Sequence, residues 1–214
     1  RRQRQMCIRD STRDDAKDFL KLLESKDDYV RRDAWSRADY LIEHGVFTRD
    51  DAKDFLKLLE SSDEGVRSWP WLRADDLIEH GVFTPEEVKE RRKYLFELLE
   101  SKNKDVREMA WGSVNMLVKR NVFTRDDVKD IIRFLESSDE SVRLEAWLRV
   151  GKLVERGVFT PEEVKERKKY FLELLGSKDE DVRLGAWSRA DDLIERGVFT
   201  PEEVKERRKY LFEL

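Results

Sequence analysis

The tripeptide Val-Phe-Thr returns along this chain at a nearly fixed interval. Its Thr falls at 48, 84, 124, 160 and 200, and "STRDD" puts an equivalent Thr at 12. The spacings are 36, 36, 40, 36 and 40 residues. A period of this size means that each copy is one small supersecondary unit, which buries its apolar face only by stacking on its neighbours. The sequence divides into repeats 12–47, 48–83, 84–123, 124–159 and 160–199, a partial repeat 200–214, and an atypical segment 1–11.

Each repeat reads as two helices. The first follows the Thr, as in "TRDDAKDFLKLLE" or "TPEEVKERRKYLFELLE". Thr at the N-cap, Pro at the first helical position and two acids in the first turn all favour a helix start. Thr84 and Glu87 also have capping-box spacing. The second helix begins near "SKDE" or "SSDE" and ends at Gly45, Gly81, Asn121, Gly157 or Gly197, residues suited to a left-handed C-terminal cap. His44, His80, Arg120, Arg156 and Arg196 precede these caps, where a cation complements the helix dipole. The longer repeats differ from the shorter ones in the first helix. Four extra residues are about one turn, so a single longer helix that keeps its apolar stripe is expected there.

Composition narrows the function classes. Charged residues make up 43% and aromatics 10%, which suits charge-rich helices around a thin core rather than disorder. The net charge of −4 argues against a general nucleic-acid or membrane-surface role. No apolar run reaches the roughly 18 residues of a membrane span, and no signal peptide is visible. Cys7 is the single cysteine, so neither a disulfide framework nor a cysteine metal site is expected, and a reducing, cytoplasmic setting is compatible. The segment "RRQRQMCIRDS" is basic and reads as a remnant second helix or a solvated tail.

The start of the second helix carries a recurring motif: "DDYVR" from Asp27, "DEGVR" from Asp63, "NKDVR" from Asn103, "DESVR" from Asp139 and "DEDVR" from Asp179. With two helices per repeat, it resembles the HEAT repeat, including HEAT-like engineered arrays, over nearly the whole chain from residue 12. The Trp in the second helix and the "GVFT" turn depart from the common HEAT pattern. The resemblance implies an all-α fold, a right-handed α-solenoid of stacked two-helix repeats forming one array from 12 to 214. It further implies a ladder between neighbouring repeats through Arg31, Arg67, Arg107, Arg143 and Arg183, and second helices lining a concave side.

The copies can be compared with one another. Counting from the Val of "VR" as position 0, the near-constant apolar positions are 0, 4, 5, 8, 11 and 12, which fall on one arc about 140° wide. The recurring Trp35, Trp71, Trp111, Trp147 and Trp187 belong to this arc and read as structural. Positions 2, 3, 6, 9 and 10 vary most and share the opposite arc, whereas the first helices barely change. Drift would touch both exposed faces, so diversity on one face suits a binding surface. On it, repeats two to four carry Trp69, Leu72, Met109, Met116, Leu144 and Leu148, while the flanking repeats carry Asp33, Ser36, Asp39, Ser188, Asp191 and Asp192. An apolar centre with a polar rim is the anatomy of a protein interface.

The candidate partner-binding residues are therefore Tyr40, Ser68, Trp69, Leu72, Asp76, Met109, Gly112, Met116, Leu144, Glu145, Leu148 and Lys152. Trp69 is the expected anchor. Its neighbour Pro70 replaces the Ala of the other copies and predicts a kink, or a helix restarting near Ser68. No catalytic, metal-binding or cofactor motif appears, and the two histidines sit where arginine stands in other copies. The expectation is a non-enzymatic scaffold, consensus-derived or engineered in character, that grips a folded protein or a helix on its concave side. One alternative is a nucleic-acid binder using the row Arg37, Arg73, Arg149 and Arg189, although Asp39, Asp75 and Asp191 stand beside it and Ser113 interrupts it. Another is self-association through the same patch.

Overall fold

The computed structural model of the chain describes residues 13–208, so segment 1–11 with Cys7 and residues 209–214 lie outside the described residues. The chain clusters into two compact units, residues 1–98 and 99–214, divided inside the third repeat. Among the described residues both are helical, without strands.

In the first unit, α1 (Arg13–Leu23) packs against α2 (Asp28–Glu43). A 3₁₀ turn, Arg49–Asp51, leads into α3 (Ala52–Leu59), followed by α4 (Glu64–Leu72), α5 (Ala74–Glu79), α6 (Pro85–Glu90) and α7 (Arg92–Leu98). The second unit holds α8 (Lys104–Lys119), then α9 (Arg125–Val128), which runs into a 3₁₀ stretch, Lys129–Glu136. It continues with α10 (Glu140–Glu155), α11 (Pro161–Lys165), α12 (Lys168–Leu174), α13 (Glu180–Glu195) and α14 (Pro201–Lys205). Within each unit helical hairpins stack side by side, with α8, α10 and α13 adjacent in the second.

The helix ends follow from the repeated residues. Thr48, Thr84, Thr124, Thr160 and Thr200 each close a capping box with the acid three residues on. Gly45, Gly81, Gly157 and Gly197 adopt φ between 66° and 73°, and Asn121 follows at 57°. At every such end the next residue's N–H reaches back to a carbonyl in the last turn, as in Val158 to Leu153 at 2.9 Å and Gly157 to Val154 at 2.9 Å. Two orphan carbonyls are thereby satisfied, and the chain is turned into the next repeat.

Most of the core arc predicted from the copies is buried; Val30 is 37% exposed and Trp187 half-buried. Trp35, Trp71, Trp111 and Trp147 are at most 2% exposed, with Ala38, Ala74, Val114 and Val150 beside them. The indoles of Trp71, Trp147 and Trp187 donate to the carbonyls of Leu59, Leu135 and Leu175, tying each second helix to the end of its own first helix. Rings extend the packing from hairpin to hairpin: Phe55 touches Phe47 and Phe83 in the first unit, and Phe171 touches Trp147 and Phe199 in the second.

Two expectations are corrected. The long repeats do not contain one longer first helix; the chain divides at Arg91 and again at Glu166–Arg167. The guanidinium of Arg91 donates to the Glu87 carbonyl at 3.0 Å, the acceptor a continuous helix would offer the Arg91 N–H, and that N–H turns to Val88 instead. Arg167 does the same with Glu163 and Val164. Both arginines also pair with an acid of the preceding repeat, Glu60 and Glu136, each at 2.7 Å.

The second correction concerns the Asp and Arg of the recurring motif. Asp27, Asp63, Asp139 and Asp179, with Asn103, cap their own helices. Arg31, Arg67, Arg107, Arg143 and Arg183 are buried and donate to the carbonyl of the Ser six residues earlier, pinning the turn of their own hairpin. Where they reach the next repeat, their partners are Glu97 for Arg67 and Glu173 for Arg143. A side chain that lies flat over its own turn leaves only its far end for a neighbour.

Candidate partner-binding face

The residues that vary between copies do not all reach solvent. In the first unit, α2 exposes Tyr40, whose ring stacks on His44 with centroids 3.8 Å apart. Trp69 and Leu72 on α4 and Asp76 on α5 are half-buried. Among the described residues the Trp69 indole has no hydrogen bond or ring contact. Ser68 is a correction: it is 2% exposed and donates its hydroxyl to the Gly65 carbonyl, so it is part of the helix packing and not of an open face.

Pro70 acts farther along than expected. The helix does not restart near Ser68. It runs through Pro70 and breaks at Arg73, which has φ −105° and ψ 4°, and resumes at Ala74. Arg73 then reaches the preceding repeat, where it meets Asp39 at 2.8 Å, with Asp76 3.9 Å away. Burial holds the Asp39 carboxyl above its usual range; Arg73 opposes this and the charges of Asp76 and Glu43 add to it.

In the second unit, α8 presents Met109, Gly112 and Met116, with Met116 37% exposed. Helix α10 adds half-buried Leu148 and exposed Lys152. Two expected contact residues belong to the packing between second helices. Leu144 seats against Gly185 of α13, so closely that a Cβ there would lie 2.9 Å from it. Glu145 is 3% exposed and is removed from the open face. Its nearest cation is Arg149, at 3.6 Å on the same helix, and one carboxylate oxygen is buried without a hydrogen bond. Burial raises its pKa, Arg149 opposes the rise and Glu108 adds to it. Leu184 on α13, 47% exposed, went unnamed in the sequence although it shares the helical position of Leu144.

The arginine row is largely committed. Arg37 pairs with Asp33 at 3.0 Å, Arg73 with Asp39 and Arg149 with Glu145. Arg189 lies close enough to Asp192 to help lower its pKa, behind the larger effect of Arg196. His44 and His80 point Nδ1 at carbonyls of their own last turn. Among the described residues no group of three or more His, Cys, Asp or Glu is placed to hold a metal, and no helix is long and apolar enough to cross a membrane. On the first-helix side of the first unit a groove of about 470 Å³ runs over Ala52 and Leu56 between the pairs Arg49–Glu87 and Arg91–Glu60; no sequence motif announced it.

Within each unit, stacked hairpins with little-changed first helices and individual second helices define an all-helical repeat protein, an α-solenoid in architecture. No protein-family model and no curated protein matches the chain. Among solved structures it is similar to an engineered protein at 19% identity, covering 93% of this chain and 95% of that one, with a TM-score of 0.43. It is also similar to a designed armadillo repeat protein in complex with the peptide (KR)4, at 17% identity and a TM-score of 0.43, covering 92% of this chain and 97% of that one. A further designed armadillo repeat protein matches at 15% identity and a TM-score of 0.42, covering 92% and 98%.

Proposed function

We propose that this chain is a non-enzymatic scaffold that holds a protein partner with the outward faces of its second helices. In the first unit the contact residues are Tyr40, Trp69, Leu72 and Asp76. In the second they are Met109, Gly112, Met116, Leu148 and Lys152, with Leu144 and Leu184 at the margin. One observation carries the reading: large apolar side chains stand partly open to water on the arc opposite the core, in a framework whose first helices scarcely differ between copies. Leaving such surface in water costs about 25 cal/mol per Å², and a partner that covers it recovers that free energy. A fixed framework with diversity on one face also suits a consensus-derived or engineered binder. The nucleic-acid alternative is disfavoured because three of the four arginines it needs, Arg37, Arg73 and Arg149, already face carboxylates.

The test begins with ligands selected from a displayed peptide library. Trp69→Ala and Met116→Ala, made separately, are expected to weaken a selected ligand by about tenfold or more with far-UV helicity unchanged. Full affinity in both variants would defeat the assignment. Sizing of the free protein separates partner capture from self-association: a mass independent of concentration is expected.

A further inference from the structure

Repeat two departs from its siblings twice in adjacent positions, and the departures act together. Four second helices run unbroken for 16 residues each, whereas the fifth is divided into α4 and α5. The divided one alone carries proline where the others carry Ala34, Ala110, Ala146 and Ala186. A proline removes one helical donor and crowds the carbonyl four residues back, which loosens the turn around it.

The second departure is Trp69. In repeats one and four its position holds an acid, and the arginine four residues on pairs with that acid along the same helix: Arg37 with Asp33, Arg149 with Glu145. Trp69 removes that partner from Arg73. Loss of the acid does not itself break a helix. Repeat five has Gly185 at this position, keeps Ala186, and its helix is whole. Among the described residues, the helix opens at this position only where Pro70 is present, and there Arg73 crosses to the preceding repeat, reaching Asp39 at 2.8 Å.

We infer that Pro70 is a positioning residue for Trp69: it opens the helix at Arg73, the Arg73–Asp39 pair clasps the opened turn to α2, and the indole is held half-exposed and unpaired. This inference rests on the proposed role of Trp69 as a contact residue, but it concerns how the side chain is held and is testable without any partner. The arrangement exchanges helix continuity for a fixed direction of one large side chain, a form of preorganisation that reduces the ordering cost of binding.

The experiment replaces Pro70 by Ala, the residue of the sibling repeats, in protein carrying fluorinated tryptophan. The Trp69 resonance is identified by its loss in Trp69→Phe. Pro70→Ala is expected to raise far-UV helicity, move the Trp69 resonance and change its quenching by acrylamide, while the other five resonances stay in place. In parallel, Arg73→Ala and Asp39→Ala are combined in a double-mutant cycle. It is expected to show a coupling of about threefold or more in the unfolding equilibrium constant with Pro70, and a smaller one with Ala at this position. An unmoved Trp69 resonance, or an equal coupling in both backgrounds, overturns the inference. Unaltered ligand affinity in Trp69→Ala would instead sink the contact role and leave the positioning result standing.

Discussion

Glu145 illustrates how a residue can be placed on the correct helical arc and still be misjudged. Its position faces away from the core, yet a neighbouring second helix covers it, and no single-helix projection contains that neighbour. Its raised pKa makes the ionised form a cost to the fold. Stability should therefore fall as pH rises from the usual carboxylate range through the raised value. Glu145→Gln is expected to stabilise the protein by about 1 kcal/mol near neutral pH, with the gain vanishing in acid, as measured by urea unfolding across pH. Glu87 behaves oppositely. The Arg49 guanidinium, at 2.6 Å, chiefly holds its carboxyl down at about 2, so its contribution is present above the usual carboxylate range and fades as pH falls towards 2. Glu87→Gln retains the capping box and removes the ion pair. A loss of about 0.5–1 kcal/mol at neutral pH is expected, shrinking as the pH approaches 2.

At the scale of the element, caps were legible and continuity was not. The Thr boxes and the Gly and Asn termini were visible because each depends on a few adjacent residues. Gly157 has φ +68° and nothing within 4 Å of the place a Cβ would take, so its requirement is backbone conformation alone. Gly157→Ala should cost about 1 kcal/mol in thermal or chemical unfolding, and a neutral result would mean the turn relaxes to another shape. The breaks at Arg91 and Arg167 escaped notice because an arginine side chain takes a carbonyl from its own helix, and arginine otherwise reads as a good helix former. A disturbance at Pro70 was expected, but near Ser68; the break falls instead at Arg73, whose guanidinium pairs with Asp39 in another repeat.

For the whole chain, the period, the fold class and the division into framework and variable face could all be read from internal comparison. What could not be read was how much of the variable face the helices use on each other. Leu144 against Gly185 and the burial of Glu145 show variation spent on packing between neighbours, and Ser68 is buried with its hydroxyl bonded to the Gly65 carbonyl of its own helix. Trp69, Leu72, Met109, Met116 and Leu148 retain open surface, and the account of function stands on them. The most direct measurement is a hydrogen-exchange footprint of the protein with and without a selected ligand. Binding should slow exchange in α4, α8 and α10 and leave 49–60 and 85–98 unchanged. Protection concentrated in those first-helix segments, with the second helices unaffected, would contradict it.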